Sequence, residues 1–232
     1  WGWKWMRLYY DRLVRLTPEV EPMPWAATSV DAVDDVTIEV TLREGMLFHD
    51  GEPVTAEDVA FTFDYYMNSE YSYFNAYLAP LESVEVTGDL TVRFNLSEPS
   101  APFATISLSQ IPILPKHLWE GIENPGDLTP DQIPTVGSGP FVFDRYDRGE
   151  FMSLTTNTDH FYADDISVEG VEFVIYADAE GVFTALQTGQ IDMTAWRMEP
   201  GQIPLAEGND NLTVVSVPDF GYFHMTFNTR RA

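Results

Sequence analysis

Residues 43–65 read REGMLFHDGEPVTAEDVAFTFDY. The stretch sets a His beside an Asp and a Gly, then acids, then aromatics. It is either a catalytic or metal site or the corner between a strand and a helix. Leu47 and Phe48 close an apolar run, and Asp50-Gly51 supplies residues that tolerate positive φ. Thr55 followed by Asp58 has the form of a capping box, after which Val59, Phe63 and Tyr66 share one helical face. A metal site needs further ligands at helical or hairpin spacing, and His117, His160 and His224 are scattered without such a pattern. The corner is therefore the reading of His49-Asp50-Gly51, and neither a metal nor a cofactor is expected.

Strand signals lie on both sides of it. Residues 36–42, VTIEVTL, alternate apolar Val36, Ile38, Val40 and Leu42 with polar neighbours. Residues 84–96 give two alternating runs around Thr87-Gly88-Asp89, a predicted hairpin. Alternation returns at 151–156, at 171–176 and at 222–228. A second helix is predicted over 179–188, with Phe183, Leu186 and Gln187 in register and Gly189 as its stop. The Pro-rich stretches 111–116 and 123–134 read as long connections. Strands and helices are thus mixed without strict βαβ order.

Composition bounds the function. With 44% hydrophobic residues in 232, the chain can bury a sizeable core in spite of its charge. The net charge is −25, and Lys4 and Lys116 are the only lysines. Such a surface repels phosphate backbones and anionic headgroups, so nucleic acid is not an expected partner. Acids recur from Asp11 to Asp219 without forming a block, a pattern that resembles adaptation to multimolar salt. The absence of cysteine excludes disulfides and thiol chemistry. No apolar run approaches the ~18 residues of a membrane span.

Three further features bear on chemistry. Gly137-Ser138-Gly139 lacks the third glycine, helix and lysine of a phosphate cradle; it reads either as a tight crossing turn or as backbone approaching a ligand at a cleft floor. The aromatics Tyr65, Tyr66, Tyr71, Tyr73, Phe74 and Tyr77 read either as a helix end packed on the core or as a cleft wall. With 37 acids, carboxylate pairs arise by chance, and no G-x-S-x-G or H-E-x-x-H motif singles out a nucleophile or zinc site.

Taken in order, these pieces resemble the substrate-binding proteins of peptide/nickel-type ABC importers, extracellular solute-binding family 5. The resemblance is carried by LREGMLFHDGEPVTAEDVAFTFDYY, and further by YDRLVRL, PWAA, VRFNLSEPSAPF, PKHLW, VGSGPFVF, NTDHFY, LQTGQIDM and FGYFHMTFNTR. It implies an α/β fold of mixed α+β sheet type, a periplasmic-binding-protein-like class II lobe with an inserted smaller subdomain. On this basis residues 1–35 begin lobe one, 36–134 form the smaller subdomain, and 135–232 continue lobe one to the hinge. Members are about twice this long, so the chain is expected to be a fragment lacking the second lobe.

The resemblance also implies a function: reversible capture of oligopeptides or dipeptides outside the cell, with no catalysis, and delivery to the permease subunits of an ABC transporter. The expected location is extracellular or periplasmic, with an anchor on the outer face of the membrane. Expected ligand contacts are Tyr73 or Phe74, the Gly137-Ser138-Gly139 turn, and Tyr222 and His224 on the strand leading into the hinge. A binder of sugars or nickel chelates on the same fold, a secreted hydrolase, and a receptor domain that has lost transport are the alternatives.

The salt reading makes a prediction of its own. Screening removes like-charge repulsion, so the thermal midpoint is expected to rise between low salt and multimolar KCl; an unchanged midpoint in differential scanning calorimetry refutes a halophilic origin.

Overall fold

The structure, a computed structural model, describes residues 2–69, 73–129, 132–194 and 198–216, with residues 2–5 described by backbone only. Helix α1 (Gly2–Tyr9) leads into the short pair β1 (Val14–Leu16) and β2 (Pro22–Pro24). Strands β3 (Ala27–Ala32) and β4 (Thr37–Leu42) precede the long helix α2 (Ala56–Asn68) and the turn-length α3 (Asn75–Leu78). Then come β5 (Leu81–Gly88), β6 (Thr91–Leu96), α4 (Leu108–Gln110) and α5 (Lys116–Trp119). A second group holds β7 (Phe141–Asp147), β8 (Phe151–Thr156), β9 (Gly170–Val174), α6 (Ala179–Gln187) and α7 (Ile203–Glu207).

The main sheet is antiparallel, in the order β3-β4-β6-β5. The alternation in β4 and β6 does what a half-buried strand requires: Ile38, Val40 and Leu42, with Val92, Phe94 and Leu96, all turn inward. The opposite face carries Glu39 across from Arg93, joined at 3.0 Å, and Arg93 is in turn across from Glu85. Helix α2 lies over the apolar face and buries Val59 and Phe63, the latter edge-on to Phe94 at 4.7 Å. Phe103 closes the same core. The sheet starts at Ala27, upstream of the expected subdomain boundary at 36, because the β3–β4 hairpin pairs Ala32 with Ile38.

The capping box is present. Asp58 Oδ2 accepts the backbone N–H of Thr55 at 2.9 Å and its hydroxyl at 2.7 Å. The other carboxylate oxygen, Oδ1, accepts the N–H of Lys116 at 3.0 Å, so one side chain starts α2 and also anchors α5. This explains how residues 111–115, an expected loop, lie buried instead of running over the surface. Their donors are satisfied from afar: Ile113 N–H reaches Asp11 O, and Leu114 N–H reaches Thr62 Oγ1.

Three sequence expectations shift. The hairpin turn is Asp89-Leu90, since Gly88 pairs with Thr91 beyond an irregularity after Val86. The predicted strand 171–176 is β9, displaced toward its N-terminus. In α6, Phe183 and Ala185 are buried while Gln187 is exposed, so Gln187 does not belong to the packed face. Its ends are as read, with Asp178 capping at Gly181 N–H and Gly189 stopping the helix at φ +70°. The predicted strand 222–228 lies outside the described residues.

The double duty of Asp58 predicts that Asp58→Ala destabilises by about 1–3 kcal/mol, the cost of leaving buried donors unpaired. Asp58→Asn, which keeps an acceptor, is expected to lose less; equal midpoints for both variants in urea denaturation would refute the assignment.

Candidate functional site

The geometry starts at a buried carboxylate. Asp11, just after α1, is fully buried and accepts Trp25 Nε1–H at 2.8 Å and His160 Nε2 at 3.2 Å. His160 Nδ1 accepts the backbone N–H of Tyr162, so the ring hydrogen sits on Nε2 and points at Asp11. The guanidinium of Arg15 covers the Trp25 ring at 4.8 Å, and that of Arg43 covers Phe161 at 4.3 Å.

The Gly137-Ser138-Gly139 turn lies against this center. A Cβ on Gly137 would stand 1.8 Å from Tyr9 O, and one on Gly139 would stand 2.6 Å from Leu8 O, so only glycine admits the approach of the α1 end. Gly139 N–H donates to Tyr9 O at 3.1 Å, and Ser138 Oγ accepts Asp11 N–H. All three residues are buried. The tight crossing turn is what the packing displays, and the backbone that approaches it is the chain's own; contact of Gly137, Ser138 and Gly139 with a ligand belongs to the proposed function.

His49 clasps that turn. Its Nδ1 accepts Gly137 N–H at 3.3 Å, its Nε2 lies 2.9 Å from Gly139 O, and its own N–H donates to Gly137 O at 2.7 Å. The corner expected at His49-Asp50-Gly51 is present, with Gly51 at φ +91° donating to Phe48 O. Burial holds the His49 pKa below its ordinary value, against the pull of the Gly139 carbonyl and Asp11. Nothing local to the corner signals that it also grips residues far along the chain.

The rim of the lobe lies beyond α2. Tyr73 is 67% exposed whereas Phe74 is 5% exposed, its ring tilted against that of Tyr66 at 4.6 Å. Of the two expected contacts, Phe74 belongs to the core and Tyr73 stands out toward solvent, 6.3 Å from Tyr77. Tyr71, Tyr222 and His224 lie outside the described residues.

Two arginines that the sequence reading did not single out lie near each other, and Arg7 also lies near Tyr73 and Tyr77. Arg7 Nη2 donates to Gln110 Oε1 at 2.8 Å, and Arg12 Nη1 donates to Ser109 O at 3.3 Å. Burial lowers both guanidinium pKa values; that of Arg12 falls to about 10, with repulsion from Arg7 adding to it. The signal was the crowding of Arg7, Arg12 and Arg15 into one short segment of an acidic chain.

A groove of about 730 Å³ runs along α2, between Phe61, Tyr65 and Asp64 on the helix and Trp119 at the end of α5 with Ile122 just beyond it. Glu57 and Lys116 close one side of it as an ion pair at 2.9 Å. Among the described residues no group of three or more His, Asp or Glu could hold a metal, and no helix is long and apolar enough to cross a membrane.

Comparison with known proteins defines the class. The solved structure of the oligopeptide-binding protein AppA of Bacillus subtilis, in complex with a nonapeptide, superposes with a TM-score of 0.79 at 26% identity, covering 91% of this chain and 42% of AppA. NikZ of Campylobacter jejuni, in complex with Ni(L-His), shares the fold with a TM-score of 0.76 at 24% identity, over 88% of this chain and 40% of NikZ. The fold is thus the mixed α/β lobe of periplasmic-binding-protein-like proteins. In sequence, AppA is 28% identical over 228 residues, 96% of this chain and 41% of AppA. Residues 21–232 match the bacterial extracellular solute-binding proteins, family 5 Middle, and the chain belongs to that family. It spans less than half the length of AppA.

The His49 clasp gives a pH prediction. The folded state resists protonation of His49, so its contribution to stability is complete above the ordinary imidazole value of 6.5 and is lost as pH falls below it toward the lowered folded value. The unfolding midpoint should therefore drop more steeply with acidification in the wild type than in His49→Gln; parallel profiles would exclude His49 as a source.

Proposed function

We propose that the chain is part of the solute-binding component of an ABC importer, which captures oligopeptides or dipeptides outside the cell and hands them to membrane permease subunits. The observation that carries this reading is family membership over residues 21–232, together with a fold shared with AppA in complex with a nonapeptide. The physical task is capture without chemistry. Two lobes close on the solute about a hinge, and the closed form is what the permease receives.

In this reading residues 36–134, with β3 added to them, form the smaller subdomain, and the remainder belongs to lobe one. Tyr73 offers the solute a flat amphipathic ring. Tyr222 and His224, which lie outside the described residues, are the further contacts of this reading. An anchor holds the protein at the outer face of the membrane.

The test is calorimetric titration of a mixed peptide pool at multimolar KCl into this chain and into the same chain extended to the length of its relatives, with mass spectrometry of the bound fraction. Heat from the extended protein with peptides recovered intact is the expected result. Cleaved peptides overturn the reading, and absence of heat from both proteins turns the search to sugars and metal chelates.

A further inference from the structure

We propose that the groove along α2 is a binding site for a small organic cation, a guanidinium above all, seated between the aromatic rings of the groove and the carboxylate of Asp64. The site goes beyond solute capture and does not rest on it, because its lining belongs to residues 57–123 alone.

Helix α2 supplies one wall. Glu57, Phe61 and Tyr65 follow one another at four-residue spacing, and Asp64 stands three residues after Phe61, so all four share one helical face. The Phe61 and Tyr65 rings lie 5.6 Å apart, and Tyr65 meets Trp119 at 5.9 Å and 74°. Two of the three rings thus stand nearly at right angles, like adjoining walls of a corner. Phe61 and Tyr65 are only half-buried, so part of their surface is left for an occupant. The volume of about 730 Å³ lies within the range of small-ligand pockets.

Charge selects the occupant. Lys116 is the one cation of the lining, and it is already paired with Glu57 at 2.9 Å. Asp64 and Glu123 line the groove too, and among the described residues neither is joined to a cation. Burial raises the Asp64 pKa, as it does for a carboxylate partly stripped of water with no counter-charge beside it. The Tyr65 hydroxyl is buried without a hydrogen-bond partner, so a lining residue leaves an acceptor unused as well. A cation brought into the groove supplies the missing counter-charge and is drawn to the ring faces at the same time. A hard metal ion is a poor occupant, since it needs several oxygen ligands and no group of three or more His, Asp or Glu could hold one among the described residues. A guanidinium is weakly hydrated, stacks on aromatic faces and donates to a carboxylate, which matches each of these features.

The test uses the chain extended to the length of its relatives, in multimolar KCl, where the Debye length is about 3 Å or less and the average field of the acidic surface is screened. Nα-acetyl-argininamide is compared with its neutral isostere, Nα-acetyl-citrullinamide, by saturation-transfer NMR titration. The guanidinium probe is expected to bind on the order of tenfold more tightly. Asp64→Asn and Phe61→Leu are each expected to draw that ratio toward one. Asp64 is exposed and makes no ion pair, so its replacement leaves the fold intact. Glu82→Gln, at an exposed acid of β5 outside the groove, is expected to leave the ratio in place. Equal affinity for the two probes overturns the site. So does an equal loss in Asp64→Asn and Glu82→Gln, because that is how a general acidic surface behaves.

Neither probe has a free terminus, so the result is read separately from peptide capture. Selective binding in a protein that captures no peptide removes the importer reading and keeps the groove site; equal affinity for the probes in a protein that does capture peptides removes the groove site and keeps the importer.

Discussion

A carboxylate buried without solvent must be satisfied by the protein, and Asp11 imposes that condition on four separate stretches of chain. Its oxygens take the Trp25 indole N–H and the His160 ring, while its backbone N–H is taken by Ser138. Burying a charge costs several kcal/mol unless its hydrogen bonds are made, so the end of α1, the Trp25 segment, the Gly137–Gly139 crossing and the His160 turn are each held to one arrangement. The main sheet and the β7-β8-β9 sheet could pack in many ways through apolar contact alone. The polar center selects one.

The two histidines around this center work alike. Each accepts a backbone N–H on Nδ1, His49 from Gly137 and His160 from Tyr162, and each turns Nε2 toward an oxygen, of Gly139 or of Asp11. With Nδ1 accepting, Nε2 carries the hydrogen and the neutral ring has both nitrogens used. A histidine so placed is a two-ended clamp of fixed polarity. The imidazole of the His-Asp-Gly corner is thus committed to holding the crossing glycines against Tyr9.

What the sequence made legible follows from where the determining forces lie. Strands β4 and β6 could be read because one face is dry and one wet, and α2 because its cap and its apolar face are both local. The hairpin turn was displaced by an irregularity after Val86, which no alternation pattern encodes. Residues 111–115 read as a loop because their prolines forbid ladder pairing, but they are buried because Thr62 and Asp58 send partners from α2. Long-range satisfaction of this sort leaves no local trace. At the site, the glycines announced a close approach without saying to what, and Tyr73 and Phe74, adjacent and alike in chemistry, were separated only by packing. The family resemblance supplied the fold where periodicity stopped.

The rim inherits its order from the center. Arg7 belongs to α1, Gln110 ends α4, and Tyr73 stands just before α3, so the three come from different stretches and meet only if those stretches are fixed. The fixing is shared. Asp11 N–H on Ser138 Oγ and Gly139 N–H on Tyr9 O pin the end of α1, and the Ser107 hydroxyl donating to Tyr77 O at 2.6 Å ties α3 to the stretch leading into α4. Contacts assembled in this way are organised in the folded chain, and the entropy of ordering them is met in folding.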